Sequence, residues 1–352
     1  MKFHVLAILV SVVLLGGFVL PATISAAPSD NSDAAKIPSP LTKTQEEAFT
    51  NMALSDKSVR DSIGGKDFEG VGVGFFTENI DVENPIWQPV VHLNVKDTGS
   101  VAAFLDPSGQ EVTRIEEQPL VKAAINAAFA SNYYTGASTV NGLRMTTTAP
   151  TYAVDATTNM ATLFLLNAVE NNADVGKLCN PAFYATSYWA QVGLVWTTNA
   201  RSVMWADNAT QCITQSTGIN YVAGHVYENK IYTSGGTWYI VAKDTNTGST
   251  FTKTRTGITY VVFENSEFNN GIFFENHNTG TSWYTKYASP HEVSATAKYS
   301  SNNGSTWSNW QSGGKQDSDC GGPRVPSTII SGNVAGGGTA TWDLQDMSAL
   351  DC

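Results

Sequence analysis

Charge is scarce in this chain. Only 14% of its 352 residues are Asp, Glu, Lys or Arg, against about 25% in an ordinary globular protein. That shortage goes with the Ser/Thr/Asn-surfaced, β-rich proteins of the extracellular space rather than with cytosolic enzymes. Bases are the scarcer sign: 20 Lys and Arg face 31 Asp and Glu, for a net charge of −11. A phosphate-binding surface needs Lys and Arg, so nucleic acid is excluded as a partner. Histidine is sparse, and outside the first residues only His92, His225, His277 and His291 occur. No HExxH, GxSxG or P-loop string is present, which removes zinc-protease, hydrolase-elbow and nucleotide readings. Cysteine is limited to Cys179, Cys212, Cys320 and Cys352, without a CxxC or a clustered His, so zinc and other metal sites are not expected. No cofactor is called for.

Long apolar runs are also missing, with one exception at the start. Met1 to about Ala27 reads as a secretory signal: Lys2 gives the positive n-region, Val5 to Leu20 the apolar run, and Ser25-Ala26-Ala27 a cleavage zone. A retained membrane anchor is the other reading of that run. No later stretch is long enough to span a bilayer, so the chain is expected to be secreted and to have no membrane attachment once the signal is removed. An even number of cysteines in an exported chain favours two disulfides. Three connectivities are open; Cys179 with Cys212 and Cys320 with Cys352 is the preferred pairing, because each couple brackets one local segment. Asn208-Ala209-Thr210 and Asn303-Gly304-Ser305 are glycosylation sequons.

Composition changes near residue 130. All 13 tyrosines lie at or after Tyr133, and every cysteine lies after residue 178. The expected organisation is a signal peptide at 1–27, a flexible Ser/Asp/Pro-rich lead-in at 28–41, a small α+β domain at 42–118, a helix and linker at 119–150 and a β-sandwich at 151–352. Within the small domain, Thr44-Gln45-Glu46-Glu47 reads as a capping box ahead of a helix with Phe49, Met52 and Ala53 on one face. A second helix from Asp56 carries Val59 and Ile63 and stops at Gly64-Gly65. Four strand-like runs follow: Phe68 to Thr77, Ile86 to Val95, Val101 to Leu105 and Glu111 to Glu116. Gln118 to about Ser131 has the spacing of a short helix. After Thr147 the pattern is β throughout, with Gly/Asn/Thr turns at intervals of about 8–15 residues, as in a two-sheet sandwich. The overall class is mainly β. Gly336-Gly337-Gly338 reads as a flexible stretch.

The 42–118 unit resembles a PepSY domain, a module often placed ahead of secreted peptidases as an inhibitory or chaperoning propeptide. The likeness lies in the order of elements and in Ala53-Leu54-Ser55-Asp56, Trp87-Gln88-Pro89-Val90-Val91 and Asp106-Pro107-Ser108-Gly109-Gln110.

Candidate chemistry is thin. Asp97-Thr98-Gly99-Ser100 matches the string around a catalytic aspartate in pepsin-like peptidases, but that chemistry needs two carboxylates sharing a proton. The other near-copies, Asn246-Thr247-Gly248-Ser249 and Asn278-Thr279-Gly280-Thr281, carry none, so a hairpin turn is the better reading. His225 has no evident partner, and Glu275 beside His277 reads as a loop pair.

The informative pair is Gln191 and Glu264. Gln191 interrupts the apolar run Tyr188-Trp189-Ala190-Gln191-Val192-Gly193-Leu194-Val195-Trp196, and Glu264 follows Tyr260-Val261-Val262-Phe263. An amide and a carboxyl in such strands belong in the interior or in an aromatic cleft. Burial raises a carboxyl's pKa and suits it to proton transfer, and a nearby amide can donate to a developing oxyanion. The plainer alternative is a self-satisfied core Gln and a strand-end Glu facing water.

Gln191-Val192-Gly193 and Val261-Val262-Phe263-Glu264-Asn265 resemble the two catalytic strands of the glutamic peptidases (eqolisins), secreted acid proteases with a concanavalin A-like β-sandwich. Val192 stands where Thr is usual, and Asn265 where Asp is usual. The segments around Trp205, from Ala223 to Ile231 and from Trp238 to Gly248 follow in the family's order, so the likeness runs over roughly 185–270. The family's Trp-x-Gly-Ile-Asp-Gly segment before the Gln has no counterpart here, and its steadying aspartate is not identified. The resemblance implies an acid-acting endopeptidase with a polypeptide substrate, Gln191 and Glu264 as catalytic residues, Trp189, Trp205 and Tyr260 walling the cleft, no cofactor, and an N-terminal propeptide removed between about Gln118 and Pro150. The rival class is a lectin-like glycan-binding sandwich stacking sugars on Trp283-Tyr284, Trp307 and Trp310. A glycosidase pairing Glu264 with Glu275 has no supporting motif.

Overall fold

The computed structural model describes residues 36–96, 98–119, 127–134, 140–151, 159–170, 187–196, 201–207, 215–256, 270–278, 292–319, 322–324 and 330–343. Helix α1 (Lys43–Ser55) is capped by Thr42, whose hydroxyl accepts from the Gln45 amide while the Gln45 side chain returns to the Thr42 backbone. The capping box thus sits two residues earlier than the sequence suggested. Helix α2 (Lys57–Ile63) starts on the Asp56 carboxylate, which accepts from the Ser58 and Val59 amides, and ends at Gly64 in the left-handed conformation.

The strands that follow are β1 (Phe68–Thr77), β2 (Gln88–Val95), β3 (Gly99–Leu105), β4 (Val112–Pro119), β5 (Ala127–Tyr134), β6 (Gly142–Thr148) and β7 (Asn159–Glu170). Next come β8 (Ser187–Trp196), β9 (Arg201–Asp207), β10 (Gln215–Ser216), β11 (Val226–Ser234), β12 (Thr237–Asp244), β13 (Thr250–Thr256) and β14 (Asn270–Asn278). The last are β15 (Glu292–Ser300), β16 (Ser308–Asn309), β17 (Gly313–Asp319), β18 (Gly322–Arg324), β19 (Ile330–Gly332) and β20 (Thr339–Asp343). They form two antiparallel sheets. The larger has 12 strands in the order β19-β20-β15-β6-β11-β12-β13-β1-β2-β3-β4, with β16 on β15; the smaller has eight, β10-β9-β8-β7-β14-β5-β17-β18. The mainly-β class read from the sequence is what the structure shows.

Two expectations fail. Ala127 to Ser131, expected as the end of a helix, is strand instead: β5 occupies Ala127–Tyr134 and lies between β14 and β17 in the smaller sheet. Pairing on both sides outweighs the local helical spacing, as tertiary context commonly does. The stretch expected as helix and linker, 119–150, therefore contains β5 and β6, and both belong to the sandwich. The four N-terminal strands are not a separate sheet either. β1 pairs with β13 through Phe75↔Thr252, Phe76↔Phe251 and Thr77↔Thr250, so the meander β1–β4 continues the larger sheet.

This placement explains why β2 and β3 are buried along almost their whole length. Alternate residues point to opposite faces of a strand. Val91, Leu93, Val95, Ala103 and Leu105 meet Phe49, Met52, Ala53, Val59 and Ile63 of the helices. Val90, Ala102 and Phe104 point the other way and join the main core with Val192, Leu194, Trp205, Ile240, Phe251, Ile272 and Phe274. The same face of β1 is nearly bare of side chains. Gly74 lets the Phe251 ring lie against the backbone, where an added Cβ would come within 2.7 Å of it. At the C-terminal end the Gly336 amide donates to the Trp310 carbonyl, and Gly337 lies against Asn309. Among the described residues, no helix is long and apolar enough to cross a membrane.

Candidate active site

β8 runs between β7 and β9, with Gln191 opposite Leu166 on one side and Ala206 on the other. Ala190, Val192 and Leu194 are sealed in the main core. Gln191 alternates with them and so projects from the opposite face of the smaller sheet, where it is half-buried. The pairing register extends that row across the sheet as Ala206, Gln191, Leu166, Gly271 and Tyr133. Gly193 follows two residues along β8. Ala206 on one side and Gly193 along the strand are small, while Leu166 stands on the other side.

Trp205 does not line this surface. It pairs with Val192, not with Gln191, and is fully buried between the sheets, stacked on Phe251 at 5.7 Å. The expected cleft-wall role is corrected to a core role, because one register step moves a side chain to the other face. Trp189 is two residues from Gln191, opposite Ala168 of β7. Glu264 and Tyr260 lie outside the described residues, as do all four cysteines and Trp283-Tyr284.

The glycan-stacking aromatics are corrected too. Trp310 is fully buried against Tyr134, and Trp307 packs with Tyr232 and Val241, so neither offers a face to a sugar. Asp97-Thr98-Gly99-Ser100 falls at the β2–β3 turn and Asn246-Thr247-Gly248-Ser249 at the β12–β13 turn, as hairpin connections. His225, expected without a partner, has Nδ1 2.8 Å from Asp244 Oδ2.

A polar cluster inside the sandwich was not anticipated. His92 of β2, Asp207 of β9 and Lys253 of β13 are all buried, and Arg255 lies 3.4 Å from Asp207. Phe251, Lys253 and Arg255 alternate with threonines in β13, which was the available signal; nothing local said that this face was the inner one. Asp207 lies on the inner face with Ala190, so it does not stand beside Gln191. Among the described residues no group of His, Cys, Asp or Glu is arranged to hold a metal ion.

No protein-family model and no curated protein matches the chain. Among solved structures it is similar to scytalido-glutamic peptidase with a peptide-based transition state analog, at 10% identity and a TM-score of 0.37 over 62% of this chain and 98% of that one. A second structure of that peptidase, with a transition state analog inhibitor, has a TM-score of 0.38 at the same identity and coverage. SCP-B, a member of the eqolisin family of peptidases in complex with the tripeptide Ala-Ile-His, is 12% identical with a TM-score of 0.33 over 62% of this chain and 98% of that one.

Proposed function

We propose that the chain is a secreted, acid-acting endopeptidase in which Gln191 and Glu264 perform the hydrolysis. The observation that carries this reading is Gln191 itself. It is a half-buried amide in a strand whose alternate residues are sealed in the core, and it projects from the outer face of the sheet, where Ala206 pairs with it and Gly193 follows it along the strand. A core Gln that satisfies itself would sit on the other face. The Gln191-Val192-Gly193 and Val262-Phe263-Glu264 motifs add support.

In this mechanism the Glu264 carboxylate takes a proton from a water whose oxygen bonds to the scissile carbonyl carbon. The Gln191 amide N–H donates to the oxyanion that forms, and its carbonyl oxygen holds the attacking water. The carbon–nitrogen bond then breaks as Glu264 returns the proton to the departing amine. The signal at 1–27 and the Cys179–Cys212 and Cys320–Cys352 disulfides belong to the same proposal for an exported protein. So does processing between 119 and 150, with one change. The meander packs behind the sheet that carries Gln191, so the N-terminal piece would stay bound after a cut rather than block the cleft.

The test is to express the chain without residues 1–27 and incubate it from pH 2 to pH 7 with an unfolded protein substrate, beside Glu264→Gln and Gln191→Ala. Cleavage in acid that both variants lose supports the proposal. A folded wild type that is inert throughout, or variants as active as the parent, overturns it.

A further inference from the structure

The contact between the β1–β4 layer and the rest of the molecule adds polar groups to the shared core. Elsewhere the sheets meet through residues such as Val192, Leu194, Ile231, Ile240, Ile272 and Phe274. Along this seam Phe76, Val90, Ala102 and Phe104 share that core, and polar contacts run beside them. Gln215 Nε2 donates to Asn94 Oδ1, Ser216 Oγ donates to a Glu116 carboxylate oxygen at 2.7 Å, and Gln118 Nε2 lies 3.4 Å from Ser202 Oγ. The strand pairing is thin as well. β1 and β13 share three residue pairs and then part beyond Thr252. A cleft of about 460 Å³, lined by Lys43, Glu46, Val73, Lys253 and Arg255 among others, opens where they separate. Lys253 bridges the gap, donating to the Val73 carbonyl at 2.6 Å and lying 3.5 Å from the Glu46 carboxylate of α1.

His92 sits in the middle of the seam. It belongs to β2, is 1% exposed, and stands edge-on to Trp205 of β9 at 5.2 Å and to Phe251 of β13 at 5.7 Å. Neither ring nitrogen has a hydrogen-bond partner. The charged groups around it are Lys253 and Arg255 from β13, Asp207 from β9 paired with Arg255, and Glu46 from α1 reached through Lys253. Arg114 and Glu116 of β4 pair with each other at 3.5 Å. As a neutral ring, His92 packs like another aromatic. As an imidazolium it would be buried, without an acceptor and close to an ammonium.

The geometry points to an acid-operated joint, in which proton uptake by His92 parts the β1–β4 layer and its helices from β9, β10 and β13 while β7, β8 and β14 stay paired. This goes beyond the proposed hydrolysis and does not depend on Glu264. Burial, and then the charge of Lys253, push the His92 pKa from 6.5 down to about 3, with Asp207 acting in the opposite sense. Burial also lowers Lys253, to about 8, so it remains an ammonium throughout the acid range and its repulsion is constant there. Opened to water, His92 takes its proton near pH 6.5; closed, it resists until about pH 3. Between those limits the open form binds more protons, and each unit of falling pH shifts the closed-to-open ratio roughly tenfold toward open.

Hydrogen exchange followed by mass spectrometry tests the joint on the chain without its leader, in the Glu264→Gln background so that self-cleavage cannot imitate opening. The expected result, after correction for intrinsic exchange rates, is that β1, β2 and β13 lose protection as pH falls from 6.5 to 3.5, by roughly tenfold per unit. β7, β8 and β14 keep theirs. His92→Phe, which preserves the aromatic packing without a titrating group, should hold the seam closed over that range. The imidazole NMR signal of His92 in the unsubstituted chain gives a reading that does not rely on the variant folding: it should become charged only as β1 loses protection. Simultaneous loss in both sheets, retained protection everywhere, an unchanged profile in His92→Phe, or a His92 signal titrating near 6.5 with the seam still closed would each overturn the joint. A seam that opens in acid in a protein that cleaves nothing would leave the joint standing and remove the hydrolysis.

Discussion

Gln191 of β8 and Trp205 of β9 are one register step apart and on opposite faces of the same sheet, because Trp205 pairs with Val192 while Gln191 pairs with Ala206. Substituting them should therefore have opposite effects. Gln191→Ala removes an amide from the outer surface and should lower the cleavage rate about 10²–10³-fold, the usual loss for one oxyanion donor, with a nearly unchanged melting temperature. Trp205→Phe leaves that surface alone but opens space beside Phe251 and His92, and should cost about 1–3 kcal/mol of stability. Its folded fraction should cleave as the parent does. Melting curves and single-turnover rates on the same preparations separate the two.

Gly74→Ala tests whether the N-terminal layer is part of the core. The new methyl group would meet the Phe251 ring at 2.7 Å and the Thr252 carbonyl at 3.0 Å. Phe251 is stacked on Trp205 and has little freedom to move. Overpacking of this kind costs about 1–3 kcal/mol, read as a lower urea midpoint with an unchanged slope. If β1–β4 were an independent unit, the substitution would leave the sandwich transition untouched.

A cut introduced within residues 120–126, between β4 and β5, should leave the two pieces together at pH 7. β1 is hydrogen-bonded to β13, and Phe76, Val90 and Phe104 are in the main core. Gel filtration of the nicked protein should give one peak containing both fragments.

The elements were largely readable from local pattern. Phe68–Thr77 has the expected limits, and Asp56, Val59, Ile63 and Gly64 play the expected parts in α2. What local pattern could not supply was pairing. Nothing in Phe75-Phe76-Thr77 says that its partner is Thr250-Phe251-Thr252, more than 170 residues away, and this one contact turns two expected domains into one sheet. β5 was misread because Ala124, Ile125, Ala128 and Phe129 have helical spacing, while the strands that flank it, β14 and β17, come much later in the chain. For the candidate site, Gln191 stood out as an amide in an apolar run, but the side of the strand facing out became known only from the register. Trp205 was assigned to the cleft for the same reason. His92 gave no signal at all, since a histidine in an alternating strand reads the same whether its face meets water or a second sheet.

Alkaline pH should weaken the fold through Tyr227. Its hydroxyl donates to the Asn220 carbonyl and accepts from the Val222 amide, at 2.8 and 2.7 Å, and the residue is fully buried. Burial, reinforced by the charge of Asp244 and partly offset by the Val222 amide, pushes the phenol from 10 up to about 12. Tyr221, stacked on it at 6.3 Å, is raised by burial as well. A folded pKa above the unfolded one means that the unfolded chain loses its proton first. The stabilising contribution is therefore intact below pH 10 and is lost as pH climbs from 10 toward 12, by about 2–3 kcal/mol for Tyr227 alone. Tyr227→Phe should be less stable at pH 8, by about 1–2 kcal/mol, because the Val222 amide and Asn220 carbonyl lose their partner. It should also decline less steeply above pH 10 than the parent. Urea midpoints from pH 8 to pH 11.5 check both effects, and parallel curves for the two proteins would show that the hydroxyl of Tyr227 does not govern the alkaline limb.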